Sequence, residues 1–211
     1  MWCLPWWVLE WSRWFVVGVG FEVVSFDVAC ARVEGLAGVF EGHYETVLLV
    51  DGDLSIEGDF LEGVAKYGTA DLVVVTGDLA VSGRIALYET IPGLYVGGGT
   101  TAETLEGGDC EIHIGVGDFT HLVYGYYNSG ILSTGPVIVP WVINSDHDLR
   151  VSADGASYVD NYGDVMLDEA DYTPDTIVEA FVLEVVDEED ECLDVTAFLE
   201  RLRAGLPVLK S

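Results

Sequence analysis

The sequence predicts a mainly-β fold: a right-handed parallel β-helix, or solenoid, with α-helical caps at its N- and C-terminal ends. Three observations predict it. The segment Gly52-Asp53-Leu54-Ser55-Ile56-Glu57-Gly58 returns as Gly77-Asp78-Leu79-Ala80-Val81-Ser82-Gly83, and fainter echoes follow. Self-similarity at a fixed period marks a stacked-repeat architecture. Apolar residues alternate within each unit, as in Leu54/Ile56, Leu79/Val81, Leu94/Val96, Ile112/Ile114 and Val137/Val139, which is the period of a strand. Both flanks of the repeat contain stretches of helical spacing.

Residues 1–45 form an N-terminal, Trp-rich capping segment. Trp7, Trp11 and Trp14 fall at i, i+4 and i+7, Pro5 suits a first helical turn, and Trp2 and Trp6 add to the aromatic density. A helix burying these rings on the rest of the protein is preferred to one lying in a membrane interface, which wants a basic polar face. The stretch from Phe15 to Val33 mixes Val, Phe and Gly and reads more as strand than helix.

Residues 46–160 carry the β-helix. Aligned on Gly52, Gly77, Gly97, Gly117 and Gly135, its units recur at 25, 20, 20 and 18 residues, about five rungs. A polar insertion around Lys66-Tyr67-Gly68-Thr69 lengthens the first. Segments of three to five residues bounded by Gly, Asp or Asn suit short strands meeting at corners, where glycine supplies positive φ. A period near twenty, with no six-residue recurrence, favours the right-handed coil. Leu54, Ile56, Leu79, Val81 and Ile114 are the expected core.

Residues 165–211 form a C-terminal helical cap. Thr173-Pro174 opens one helix with Ile177, Phe181, Val182 and Val185 as its stripe. The acidic run Asp187–Glu191 breaks it. A second helix starts near Asp194 with Val195, Phe198, Leu199 and Leu202 on one face and stops at Gly205-Leu206-Pro207. Stripes this narrow make no core of their own, so both helices are expected on the solenoid's end.

Composition constrains function more by exclusion. The chain holds 37 Asp and Glu against 8 Lys and Arg, a formal charge of −29. That field excludes nucleic acid, whose phosphates need many basic contacts, and disfavours anionic membrane surfaces. It fits a solvated acidic surface, adaptation to a salty cytoplasm, or nonspecific interaction with cations. No Ca²⁺-loop pattern is present. The uncharged run from Trp14 to Phe21 is too short to span a bilayer, and its flanks make a poor secretory signal. Cys3, Cys30, Cys110 and Cys192 lack disulfide or zinc spacing and read as thiols in a reducing compartment. The expected location is cytoplasmic.

The Gly-Asp-Leu-x-Val-x-Gly units over residues 46–150 resemble those of bactofilins, bacterial cytoskeletal proteins with right-handed β-helices. That resemblance implies end-to-end self-association without nucleotide. The flanks depart from the family, whose solenoid ends are free. The chain looks closer to uncharacterised bacterial small β-helix proteins with a Gly-His-Tyr-Asn-His-Gly stretch. Here Gly125-Tyr126-Tyr127-Asn128-Ser129-Gly130 stands instead, without either histidine, so no metal or proton-transfer role carries over.

Candidate sites are few. Tyr127 and Asn128 precede His147 and Asp148 by twenty residues, one rung. A patch of Tyr124, Tyr126, Tyr127, Asn128 and His147 on one exposed side offers apolar area and hydrogen-bonding groups to a protein partner. Asp146 and Asp148 beside His147 should raise its affinity for a proton. The same residues also fit an aromatic and Asn ladder closing a corner. His113 and His121 have no metal-pair spacing, no serine sits in a nucleophile elbow, and Gly97-Gly98-Gly99 lacks the lysine and helix of a phosphate loop. Asp53 and Asp78 occupy equivalent corners and are the carboxylate pair a polysaccharide hydrolase would use. No cofactor or metal site is expected. The leading expectation is a non-enzymatic scaffold or protein-interaction module; a bactofilin-like self-assembling structural protein comes second, and a polysaccharide hydrolase third.

Overall fold

The computed structural model describes residues 20–126, 129–163 and 170–210. The helix expected around Trp7, Trp11 and Trp14 lies outside them. The described chain is mainly β, a parallel β-solenoid of about 5 turns. Strand β1 (Gly20–Ser25) runs antiparallel to β2 (Thr46–Asp51) and edges the first turn. Every other pairing between solenoid strands is parallel, and the strands stack into three faces.

The first face stacks β2, β4 (Leu72–Val75), the starts of β7 (Gly93–Gly107), β8 (Glu111–Tyr126) and β9 (Ile131–Ile138), and then β11 (Asp148–Ser152). The second stacks β3 (Leu54–Ile56), β5 (Leu79–Val81), the middles of β7 and β8, and the end of β9. The third stacks β6 (Ile85–Leu87), the ends of β7 and β8, β10 (Trp141–Ser145) and β12 (Ser157–Asp160).

Period-two alternation sends every second side chain inward, where neighbouring rungs line it up at roughly 4.8 Å spacing. One column is Leu48, Val73, Leu94, Ile112 and Leu132, all buried. Each side chain of this kind contributes roughly 1.5–3 kcal/mol when fully removed from water. Leu54, Ile56, Leu79, Val81 and Ile114 are buried as expected. The repeat pairs do not form one column, however. Leu54/Ile56 and Leu79/Val81 lie on the second face, whereas Leu94/Val96 and Ile112/Ile114 lie on the first. All three faces share the same inward alternation, so the pattern alone cannot tell them apart.

The corner between first and second faces explains the Gly-Asp repeat. Gly52 takes φ 103°, a left-handed conformation, and Gly77 packs so tightly on it that a Cβ there would lie 2.7 Å from the Gly52 carbonyl carbon. Asp53 Oδ1 accepts the Asp78 N–H at 2.8 Å, and Asp78 Oδ1 accepts the Gly99 N–H at 2.7 Å. The glycine column is Gly52, Gly77, Gly98, Gly115 and Gly135. The expected Gly97 and Gly117 are displaced because these rungs are uneven: Gly77 to Gly98 is 21 residues and Gly98 to Gly115 is 17, the second shortened where β7 holds one more residue than β8 between Val96 and Gly99. Gly117 instead leaves room for the Phe119 ring. Strands β7 and β8 bend through their corners without breaking, so they are longer than the short segments expected.

The flanks cover two faces from outside. Phe26–Arg32 is helix α1, not strand, with the Ser25 hydroxyl accepting the Val28 N–H. Ala29, Leu36 and Tyr44 pack on outward Val47, Leu49, Leu72 and Val74 of the first face. Helix α2 (Phe60–Ala65) supplies the third side of the first turn, sends Phe60 and Val64 into the core, and with the loop after it accounts for the long first repeat.

At the C-terminus, α3 (Pro174–Ala180) opens at Thr173 with a capping box, and α4 (Val195–Arg203) opens at Asp194, as the sequence predicts. The first ends earlier than its stripe: Phe181 is extended, and Val185 sits in a separate 3-10 turn. The acidic break is a hairpin of β13 (Val186–Asp187) and β14 (Cys192–Leu193). Ile177, Phe181, Val185, Phe198 and Leu199 pack on outward Leu122, Tyr124, Trp141, Ile143 and Val159. These helices therefore clothe the side of the solenoid, where the outward residues of the third face are apolar and need cover, instead of lying over its end. Among the described residues no helix is long and apolar enough to cross a membrane.

Candidate functional site

The second face carries no such cover among the described residues. Its outward column, Ser55, Ala80, Thr101, Asp118 and Ile138, is in register across five rungs and exposed throughout. Val116, within β8, and Ile138, the last residue of β9, are 51% and 71% exposed. With Ala80 and Pro136 they floor a shallow hollow of about 750 Å³ edged by Asp78, Asp118 and Asp154.

A second concavity, of about 800 Å³, runs between the third face and α4. Its walls are Tyr88, Tyr124, Tyr126 and Tyr162, with Leu122, Leu193, Val195 and Leu199 below. Glu106 lies among them at 3% exposure. Its Oε1 accepts the Thr104 hydroxyl at 2.5 Å, and its Oε2 accepts the Tyr88 hydroxyl. Arg84 Nη1 stands 3.9 Å from Oε2, while Arg84 Nε binds Asp59 at 3.2 Å. Burial, then the Glu106 charge, pushes the Tyr88 phenol well above its ordinary pKa, so it stays a neutral donor. Burial also raises Tyr124, against the opposing effect of its hydrogen bond with Ser145. The Tyr126 ring lies 6.0 Å from that of Tyr88 and 5.9 Å from that of Tyr124.

Of the patch expected from sequence, Tyr124 and Tyr126 belong to this groove; Tyr124 is mostly buried and Tyr126 is exposed. Tyr127 and Asn128 lie outside the described residues. His147 is not on the exposed side with the tyrosines: it is 1% exposed. Strands β8 and β10 pair up to Tyr126–Ser145, the chain turns at Asp146 with φ 59°, and His147 packs against Gly125. Gly125 occupies an inward column after Leu87 and Gly107, and its missing side chain leaves the space that the imidazole fills. The Asn144 side chain holds this turn, accepting the His147 N–H at 2.9 Å and donating to its carbonyl at 3.2 Å.

His113 and His121 stand on different faces. His113 belongs to a cluster under the N-terminal flank, where its Nε2 lies 3.5 Å from Glu111 Oε2 and its ring meets Phe40 edge-on. Glu111 accepts the N–H groups of Glu41 and Gly42 at 2.8 and 2.5 Å. Burial lowers the His113 pKa, more than Glu111 restores it. Cys30, Cys110 and Cys192 are free thiols, and burial pushes Cys110 up to about 12. No group of three metal-ligating side chains occurs among the described residues. Asp53 and Asp78, the weighed hydrolase pair, hold backbone N–H groups at the corner.

Glu106, Tyr88 and Arg84 escaped the sequence reading. Nothing local marks Glu106, which stands beside Gly107 like the solvated acids elsewhere in the repeat. Against known proteins, the chain matches no family model, no curated sequence and no solved structure.

Proposed function

We propose that this protein is a non-enzymatic β-solenoid scaffold that binds a protein partner on its bare second face. The observation that carries this is the contrast between faces. The first and third are clothed by the chain's own flanks, and the second leaves Val116 and Ile138 exposed in a shallow acid-edged hollow. Exposed apolar surface rimmed by polar groups fits a protein partner. The −29 field would favour one with basic residues around its contact and speed its approach at low salt. A rung length near twenty residues supports a right-handed coil, with the flanks closing its sides. Free thiols support a reducing, cytoplasmic setting. The test is affinity capture with the wild type and a Val116→Asp/Ile138→Asp variant of unchanged circular dichroism. A specific partner lost by the variant supports the reading; a partner retained at wild-type strength refutes it.

A bactofilin-like assembly is the second reading, favoured by the solenoid's last turn. Among the described residues β11 pairs with β9 alone, which leaves an edge that a strand of another copy would extend. The charges of Asp148 and Arg150 on that strand work against it. Light scattering and negative-stain microscopy at rising salt, which screens the net charge, separate the two: filaments support assembly, and a constant small particle supports the scaffold.

A further inference from the structure

The groove between the third face and α4 is left unused by that reading. Glu106 is a buried carboxylate in a strongly negative molecule, and its compensation is thin. Two hydroxyls donate to it, one to each oxygen, and its nearest guanidinium, 3.9 Å away, is at the outer limit of an ion pair. A carboxylate has about four lone-pair sites, so two hydroxyl donors leave acceptor capacity on the groove side. Burying a charge without a close partner is costly, and a cation brought in from outside lowers that cost.

Each rim arginine has its closest contact with another carboxylate, although the Arg84 charge also faces Glu106. Arg203 binds Glu103 at 2.8 Å, and Arg84 binds Asp59 at 3.2 Å. Glu200 adds a further carboxylate to the lining. Tyr88, Tyr124 and Tyr126 form a contiguous set of rings beside Glu106, and ring faces attract cations electrostatically. Below them, Leu122, Leu193, Val195 and Leu199 form an apolar floor. Tyrosines, a carboxylate and an aliphatic floor are what an ammonium group on an alkyl chain would fill. A compact inorganic cation would leave the floor unused, and an anion would meet Glu106 and Glu200.

We propose that this groove binds a primary alkylammonium group, its charge against Glu106 and the tyrosine rings and its chain along the leucine floor. The group has two sources, a free aliphatic amine or the lysine side chain of a partner. The site is separate from the second face, so either proposal can fail alone.

The test is a titration of the tyrosine ring signals by NMR with n-butylammonium chloride, at constant ionic strength, beside n-butanol as the uncharged control. Saturable shifts at Tyr88 and Tyr126 are expected with the ammonium only. Glu106→Gln, which keeps the shape and removes the charge, should weaken binding by about tenfold, and Tyr126→Ala by about fivefold. If Glu106→Gln proves unfolded by circular dichroism, the exposed Tyr126→Ala decides. An end-blocked Ala-Lys-Ala peptide that saturates as well as butylammonium assigns the group to a lysine side chain; binding of the free amine alone assigns it to a small amine. No saturable shift, an equal response to n-butanol, or binding unchanged in the folded variants overturns the proposal.

Discussion

The first and second faces of the solenoid are built on the same inward alternation and differ in what they show outward. On the first face the outward residues of the early rungs are Val47, Leu49, Leu72 and Val74, and a flank closes over them. On the second they are Ser55, Ala80, Thr101 and Asp118, and among the described residues nothing does. Inward side chains specify a rung; outward ones decide whether the rung is wallpapered by its own chain or left for another. The third face makes the same point, since Trp141 and Ile143 are apolar outward and α4 lies on them.

Mutations that remove buried groups should show the largest effects. Phe198→Ala, which strips the cover of the third face, should cost about 3–5 kcal/mol, and Leu79→Ala, inside the coil, about 2–5 kcal/mol. Urea unfolding measures both. A cost for Leu79→Ala below about 0.5 kcal/mol would mean that the register is wrong. Gly77→Ala tests the corner: its Cβ would meet Asp53 Oδ1 at 2.2 Å and the Gly52 backbone at 2.7 Å, so a loss of about 1–3 kcal/mol is expected by the same measurement. Asp78→Ala frees the Gly99 N–H on an exposed corner and should cost about 1 kcal/mol. At the small end, Ile138→Ser on the bare face should change stability by less than about 0.5 kcal/mol while weakening partner capture. A larger destabilisation would mean that the second face is covered after all.

The clothed first face should also respond to pH through His113. Burial holds its folded pKa below the ordinary histidine value; the Arg150 charge adds to this, and Glu111 and Glu41 oppose it. Above the unfolded value of about 6.5 both states are neutral and its contribution is intact. As pH falls from there towards the folded pKa, the unfolded chain takes up the proton first, and stability drops. His113→Gln should flatten that part of the melting-temperature profile between pH 7.5 and 5.5; an unchanged slope would assign it to other groups.

The coil was largely legible beforehand; the contrast between its faces was not. The repeated Gly-Asp-Leu segments and paired aliphatics are local signals, so the coil, its core residues and the helix starts at Thr173-Pro174 and Asp194 could be read from neighbours in sequence. What failed was non-local. Gly97 and Gly117 looked equivalent because the uneven rungs, 21 residues from Gly77 to Gly98 and then 17 to Gly115, are visible only in the pairing of strands. His147 looked exposed because the space it fills belongs to Gly125, twenty-two positions earlier. Glu106 was passed over because Tyr88 and Arg84, which give it meaning, arrive from the preceding rung.

The N-terminal flank ties together parts of the chain made at very different times. Glu41 and Gly42 donate to Glu111, about 70 positions on, and Glu41 reaches Arg150 on β11. During synthesis, the flank's apolar seat on Val47, Leu49, Leu72 and Val74 follows it closely, whereas Glu111 and Arg150 appear much later. The rungs can stack in order as they appear, each on the one before, but the flank's polar ties must wait for Glu111 and then for Arg150. Its final fastening is therefore a late, long-range step of the kind that slows folding. The reverse also holds: letting go of the flank would uncover Val47, Leu49, Leu72 and Val74 while every rung stayed intact, a local opening well below the cost of unfolding the coil.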